Sequence, residues 1–243
     1  MSTQPPSTRT TNRRTLLIAL IVVAILLVTA LVGGEAYARH TVSRCISTQF
    51  EKEMGSKIDV SFGAKPMLIT WFDGKVPTVK VDSDDTKFGP AVGMVVHAEF
   101  HDVEVTDNGR GGGVIGSSSA DVTWNNDGIR QTLGGLVSGV KSSASSNLLN
   151  LDVLGGLAQL QVKPVIKGGV IEVETMSAQL LGMGLPTDLV QGIVEVFTKS
   201  LQSYPYNMRP TEVKVTDDGI AVELAGTRSE LPAADQNAGA TCS

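Results

Sequence analysis

One run of the chain, residues 15–34, carries no charged side chain, and from Leu16 to Val32 it is almost purely leucine, isoleucine, valine and alanine. A helix rises about 1.5 Å per residue, so about 20 residues cover the roughly 30 Å of a bilayer's hydrocarbon core. Arg13 and Arg14 stand directly before the run, and flanking arginines stay on the cytoplasmic side. The run therefore predicts a membrane helix that leaves the N-terminus in the cytoplasm and the rest of the chain outside it.

Two fates of this helix stay open. It is either a signal anchor or a signal peptide that is cut at the A-x-A sequence Ala36-Tyr37-Ala38. The run is longer than the usual apolar core of a signal peptide, about 7–15 residues, which favours the anchor. The expected organisation is a cytoplasmic N-terminus (1–14), an anchor or signal peptide (15–34), an exported domain (35–231) and a flexible tail (232–243).

Composition limits the classes of protein that the exported part can belong to. The chain has 243 residues, 42% of them hydrophobic, and a net charge of −5. This is long and apolar enough for a packed core, and it excludes a disordered or disulfide-dense chain. Because arginines precede the run, the rest of the chain has a more negative net charge than the whole. An acidic domain is not expected to bind nucleic acid. No second uncharged run is long enough to cross a bilayer, which excludes a multi-span protein.

An amphipathic helix is expected to continue from the membrane span. Val42, Ile46, Phe50 and Met54 recur every four residues, with charged residues between them. The stripe either packs on the domain body or holds the body at the headgroup surface, and packing is favoured.

Cys45 and Cys242 are the only cysteines. Outside the cytoplasm an even pair usually oxidises, so a Cys45–Cys242 disulfide is expected, with two free thiols as the alternative. It would join the C-terminal tail to the membrane-proximal helix.

The exported part is expected to be mainly long strands joined as consecutive hairpins. A change of alternation inside the 91–106 strand predicts a bulge or bend near Asp102. Two helices are expected, one from Asn126 or Asp127 through Val140 and one from Thr187 or Asp188 through Leu201. The fold class is therefore α+β, a strongly curved antiparallel sheet wrapped around amphipathic helices. Alternating apolar residues predict strands at 57–63, 75–82, 91–106, 119–124, 157–162, 170–181, 211–215 and 220–224.

No constellation of residues predicts catalysis. His97, Glu99 and His101 share a strand face, but they form no zinc motif and fit a solvent-facing edge. A phosphate-binding loop and a nucleophile elbow are absent from the sequence. We therefore expect a non-enzyme with no catalytic residue, no metal and no cofactor.

Apolar surface is what remains as a candidate site. Glycines interrupt the apolar stripes in both halves, and the space they leave could make a lipid cavity, although loops and caps would use the same glycines. The expected lipid contacts are Trp71, Phe72, Met94, Val96, Phe100, Leu133, Val137, Leu185, Val194 and Phe197.

Several segments, in order along residues 14–232, resemble the LmeA family of actinobacterial envelope phospholipid-binding proteins. The motifs are soft patterns of glycine, proline and apolar residues rather than catalytic signatures. They are 57–63 (KIDVSFG), 65–66 (KP), 79–85 (VKVDSDD), 88–90 (FGP), 116–124 (GSSSADVTW), 182–189 (GMGLPTDL), 204–205 (YP) and 218–219 (DG).

The resemblance implies a protein anchored in the inner membrane with its domain on the periplasmic side. It implies binding of phospholipid, of the phosphatidylinositol type in particular, and support for mannan elongation in lipomannan and lipoarabinomannan, or lipid transfer. It also implies a tubular lipid-binding (TULIP-like) fold. The alternative is a non-enzymatic scaffold that binds envelope glycosyltransferases and has no lipid cavity.

Overall fold

The first helix of the protein joins the apolar run to the body without a break. The computed structural model describes residues 13–54, 56–84, 87–88, 91–106, 112–180, 183–202 and 204–231. Helix α1 extends over Arg13–Met54, and its part Leu20–Thr48 is long and apolar enough to span a membrane. The apolar side chains of this part that precede Gly33 are exposed, as expected for a segment whose solvent is lipid rather than protein.

Beyond the apolar run, α1 contacts the body. Ser43 donates a hydrogen bond to the carbonyl of Val60 at 2.9 Å, and Ser47 donates to the carbonyl of Ile58. Both acceptors lie on the first strand, so this part of the helix contacts the domain through its serines. Ile46 of the predicted apolar stripe is 39% exposed, and packing of that stripe stays a prediction.

The rest of the described chain contains three shorter helices and fifteen strands. The helices are α2 (Met67–Asp73), α3 (Asn126–Leu133) and α4 (Thr187–Leu201). The strands are β1 (Ile58–Phe62), β2 (Lys75–Ser83), β3 (Lys87–Phe88), β4 (Ala91–Val92), β5 (Met94–Val105), β6 (Gly113–Ile115), β7 (Ser117–Asn125), β8 (Val137–Ser143), β9 (Leu148–Val153), β10 (Ala158–Lys167), β11 (Val170–Leu180), β12 (Met183–Gly184), β13 (Arg209–Val215), β14 (Gly219–Gly226) and β15 (Ser229–Leu231).

These strands form two main antiparallel sheets. The first has the order β1-β2-β5-β7-β14-β13, with β6 pairing with β5 and β15, and the second has the order β12-β11-β10-β9-β8. Strands β3 and β4 form a separate hairpin. The predicted α+β class with antiparallel hairpins is confirmed. In the described residues neither sheet closes into a barrel, and the tubular wrapping of a sheet around a helix stays a prediction.

One hydrophobic core joins both sheets to α3 and α4. Its largest buried side chains include Trp124 of β7 and Phe197 of α4, whose rings meet edge to face at 5.7 Å. The Trp124 indole also donates a hydrogen bond to the carbonyl of Val92 at 2.8 Å. The indole thus contributes apolar area to the core while its one polar atom is satisfied.

The sequence analysis was wrong about residues 137–140, which form a strand rather than the end of a helix. Helix α3 ends at Leu133, and Gly134 adopts φ 57° and ψ −144°, which no helix contains. Val137 and Val140 then pair with Val153 and Leu151 across β8 and β9. A three-residue spacing of valines is typical of a helix, and the strand accommodates it through a register shift between Val137 and Gly139.

The predicted irregularity of β5 is confirmed, and a second one occurs at the turn between β13 and β14. Asp102 has φ 52°, and the buried positions of β5 change from even to odd numbers on either side of it. The β13–β14 hairpin turns at Gly219, where φ is 153° and an added Cβ would lie 2.0 Å from the Trp124 carbonyl oxygen. Only glycine fits this close approach.

The core packing predicts a large effect at Phe197. Replacing it with alanine should lower the free energy of unfolding by about 3–5 kcal/mol, because a buried aromatic ring leaves a cavity. Val196→Ala, one residue away on the exposed side of α4, should change it by less than about 0.5 kcal/mol. Urea unfolding of the full chain in mild detergent, followed by circular dichroism, measures both. Equal effects would contradict this description of the core.

Candidate functional site

The structure separates the residues predicted to contact lipid into three groups. Five are buried in the core, three are half-buried at its margin, and two are exposed on α2. The contact of these ten residues with lipid stays a prediction. The buried group is Met94, Val96, Leu133, Val137 and Phe197; the marginal group is Phe100, Leu185 and Val194; the exposed pair is Trp71 and Phe72.

Part of this set meets at one end of the second sheet. Val137 at the start of β8 pairs with Val153 at the end of β9, and Val153 pairs with Ala158 at the start of β10. The turns before Val137 and after Val153 therefore lie side by side. Leu133 directly precedes the first of these turns. Leu185 directly follows strand β12, which pairs with the end of β11 at the same end of the sheet.

Three leucines project from these turns into solvent, and we call them the leucine rim: Leu136, Leu154 and Leu157. The rim residues are 38%, 47% and 62% exposed, although most leucines of the body are buried or half-buried. An added Cβ at Gly134 or Gly155, within the same turns, would meet no atom within 4 Å. The turns are therefore free of packing on their outer side.

Leu154 has a backbone conformation that leucine rarely adopts. Its φ is 52°, and the left-handed region costs an L-residue with a Cβ roughly 1–2 kcal/mol. The side chain recovers little of this by burial because it is half exposed. An exposed apolar side chain on a strained backbone is a feature of ligand-contact surfaces, and the leucine rim is the candidate lipid-contact site of the body.

The exposed aromatic pair lies elsewhere, on α2, beside the membrane-proximal part of α1. Glu35 of α1 accepts hydrogen bonds from the backbone N–H groups of Met67 and Leu68 at 2.7 and 3.1 Å. Sequence reasoning missed this helix, because seven residues are too few for a periodic pattern. Pro66 directly before it and Gly74, left-handed at φ 65° directly after it, are the signals that mark its ends.

Lys65 fixes the far end of α2. Its ammonium group donates to the Asp73 carboxylate at 2.6 Å and to the carbonyl of Lys75 at 2.7 Å. The hydrogen bond from Lys65, followed by that from the Lys75 backbone N–H, lowers the pKa of Asp73. The carboxylate therefore stays ionised and holds Lys65 across the helix at neutral pH.

Two of the three residues weighed as zinc ligands, His97 and Glu99, make polar contacts with side chains of the neighbouring strand β2. His97 contacts Asp82 at 2.7 Å, and Lys80 lies 2.8 Å from Glu99. The hydrogen bond from Lys80 lowers the pKa of Glu99. Among the described residues no three histidine, cysteine or acidic side chains come together as a metal site.

Cys45 is disulfide-bonded. Its predicted partner Cys242 lies outside the described residues, so the pairing of these two cysteines stays a prediction.

A family model described as LmeA-like phospholipid-binding matches residues 29–225. The chain belongs to this LmeA-like family. The match begins within the apolar run and covers α2, the leucine rim and most of both sheets. Both candidate surfaces are therefore parts of the family domain.

The relatives of this LmeA-like chain among curated proteins are mycobacterial. Uncharacterized proteins of Mycobacterium bovis and of Mycobacterium tuberculosis are each 25% identical to it over 220 residues, which is 87% of this chain. The matched region is 63% of the length of those relatives. No solved structure matches the chain significantly.

The backbone of the leucine rim predicts opposite effects of one substitution at two neighbouring leucines. Leu154→Gly should raise the free energy of unfolding by about 1 kcal/mol, because glycine adopts positive φ without strain. Leu157→Gly, at φ −72°, should lower it by about 0.5–1 kcal/mol through backbone entropy. Urea unfolding of the full chains compares them. Destabilisation by Leu154→Gly as well would contradict the strain argument.

Proposed function

We propose that this protein binds phospholipid at the outer surface of a membrane in which α1 anchors it. The observation that carries the proposal is the match to the phospholipid-binding family over residues 29–225. The exposed apolar helix α1 supports the anchor, and Arg13 and Arg14 before the run favour a body on the outer, periplasmic side.

We place the acyl-chain contact at the leucine rim. Leu136, Leu154 and Leu157 expose apolar area to water, and covering it with acyl chains gains about 25 cal/mol per Å². Two of the predicted contacts, the buried Leu133 and Val137, stand three residues before and one residue after Leu136 of the rim. The turns are unpacked on their outer side, so an acyl chain can approach them from solvent.

The finer parts of the proposal concern the lipid and its use. We propose a phosphatidylinositol-type headgroup, and a role in supporting mannan elongation of lipomannan and lipoarabinomannan or in moving lipid to that step. The resemblance of the sequence to envelope proteins of this kind supports both parts. A binding role without catalysis agrees with the description of the family as phospholipid-binding.

The packed core favours a second candidate function. Met94, Val96 and Phe197 are buried against other side chains rather than lining a channel. A body with a filled core could act as a scaffold for envelope glycosyltransferases, with no lipid inside it.

Native mass spectrometry of the full chain, released from its own membranes in mild detergent, separates the two candidates. The lipid-binding function predicts a mass excess that resolves into phospholipid on extraction, with inositol as the headgroup of the released lipid. A bare protein mass that does not change when phospholipid is added would contradict lipid binding and favour the scaffold.

A rim variant tests the place of binding. Leu154→Asp combined with Leu157→Asp should reduce the bound phospholipid at least tenfold, because a carboxylate does not enter an apolar contact without a large desolvation cost. Met176→Asp is the matched control, an exposed apolar residue on β11 outside the rim, and it should retain its lipid. Equal retention by both proteins would place the lipid away from the rim.

A further inference from the structure

Helix α2 exposes its apolar face beside the point where α1 leaves its uncharged run. Trp71 and Phe72 are 67% and 91% exposed, and Leu68 and Ile69 are exposed as well. At about 100° per residue these side chains cover roughly 160° of the helix surface, with the buried Thr70 on the opposite side. The outward face of α2 is therefore apolar, and its exposure is greatest at Trp71 and Phe72.

Polar contacts hold this face outward. A seven-residue helix is not stable by itself in water. Glu35 satisfies two N–H groups at its start, and Lys65 bridges to Asp73 and the Lys75 carbonyl at its end. The bonds fix the position of the helix without covering its apolar side chains.

The attachment point sets the depth of α2 relative to a membrane. Glu35 is the first charged residue after the apolar run and lies three residues after Val32, about 4.5 Å further along the helix. The headgroup layer adds roughly 5–7 Å on each side of the hydrocarbon core. A helix bound to Glu35 therefore lies at the height of the headgroups when the run spans the bilayer.

The distribution of aromatic residues points to the same height. Among the side chains that the structure describes, four aromatic ones are exposed: Tyr37, Trp71, Phe72 and Tyr206. Three of these belong to α2 or to the part of α1 that holds it: Trp71, Phe72 and Tyr37, which lies two residues beyond Glu35. Tryptophan and tyrosine are enriched at the membrane–water interface, where the ring is partly in apolar and partly in polar surroundings.

We propose that α2 is an interfacial helix whose face Leu68-Ile69-Trp71-Phe72 inserts into the headgroup–acyl boundary of the outer leaflet. The inference rests on the proposed anchoring of α1 in that membrane. The occupant of this face is lipid because the face continues the exposed apolar surface of α1 at the same level. Trp71 and Phe72 then contact bilayer lipid rather than a phospholipid bound in the body.

Two membrane attachments fix the orientation of the body. A single helix allows the body to tilt and rotate about its axis, and a second contact beside it restricts both motions. Arg39 joins the two elements to the first sheet, because its guanidinium donates to Glu35 and to the carbonyls of Phe62, Gly63 and Lys65. Ser43 and Ser47, further along α1, contact Val60 and Ile58, so β1 lies alongside the helix and its Phe62 end is the part of the first sheet that faces the membrane.

Trp71 provides a direct test, because the other tryptophan, Trp124, is buried in the core. The full chain is reconstituted into phosphatidylcholine vesicles, with and without phosphatidylcholine brominated in the upper part of one acyl chain. Flotation of the vesicles first verifies that the chain is anchored. The emission of Trp71 is obtained as the difference between the protein and its Trp71→Phe variant.

We expect brominated lipid to quench the Trp71 emission at least twofold and acrylamide in the aqueous phase to quench it little. Quenching by acrylamide alone would place α2 in water and overturn the proposal. Protection from both quenchers would also overturn it, since another protein surface would then cover the helix.

In the Phe72→Asp variant, brominated lipid should no longer quench the Trp71 emission and acrylamide should quench it. The reason is that an aspartate is costly in the acyl boundary. Met176→Asp is again the matched control and should leave both quenching values unchanged. Native mass spectrometry of the same proteins separates this inference from lipid binding by the body. Bound phospholipid together with unquenched Trp71 would overturn only the interfacial helix, and the reverse result would overturn only lipid binding.

Discussion

The guanidinium group of Arg39 joins helix α1, strand β1 and helix α2, and the rest of the structure depends on this connection. The guanidinium pairs with Glu35 at 2.6 Å within α1 and donates to three backbone carbonyls between the end of β1 and the start of α2. Glu35 in turn holds the first turn of α2. Charge-assisted hydrogen bonds of this kind are stronger and more directional than neutral ones. The relative position of α1, α2 and the first sheet is therefore set by this arginine–glutamate pair together with the Ser43 and Ser47 hydrogen bonds to β1.

Apolar residues have two different roles in this fold. The side chains of both sheets, α3 and α4 form one packed core, in which Trp124 and Phe197 contribute stability. The leucine rim and the outer face of α2 expose comparable side chains to solvent, and they lie in separate places, at the end of the second sheet and beside α1. Membership of a phospholipid-binding family gives exposed apolar surfaces of this kind a use. In the proposals made above, the leucine rim contacts a single phospholipid and the face of α2 contacts the bilayer.

Local patterns in the sequence predicted most strands and the long first helix, because each has a strong period or a long uncharged run. They failed at Val137 and Val140, whose spacing fits a helix and whose partners Val153 and Leu151 lie more than ten residues away. They also failed at α2, which depends on hydrogen bonds from Glu35, about thirty residues earlier in the chain. Apolar periodicity further identified Met94 and Phe197 as inward-facing, but it does not reveal whether protein or lipid lies on the inner side.

The continuity of α1 from Arg13 to Met54 determines how an anchored body could meet its lipid. A flexible linker would let the body search a volume above the membrane, with a reach that grows with the square root of linker length. A helix that continues directly from the span into contact with β1 gives the body a constant height instead. The body then moves only by lateral diffusion in the plane of the membrane. Lipid would be collected from the bilayer next to the helix, and any acceptor would have to lie at that same height.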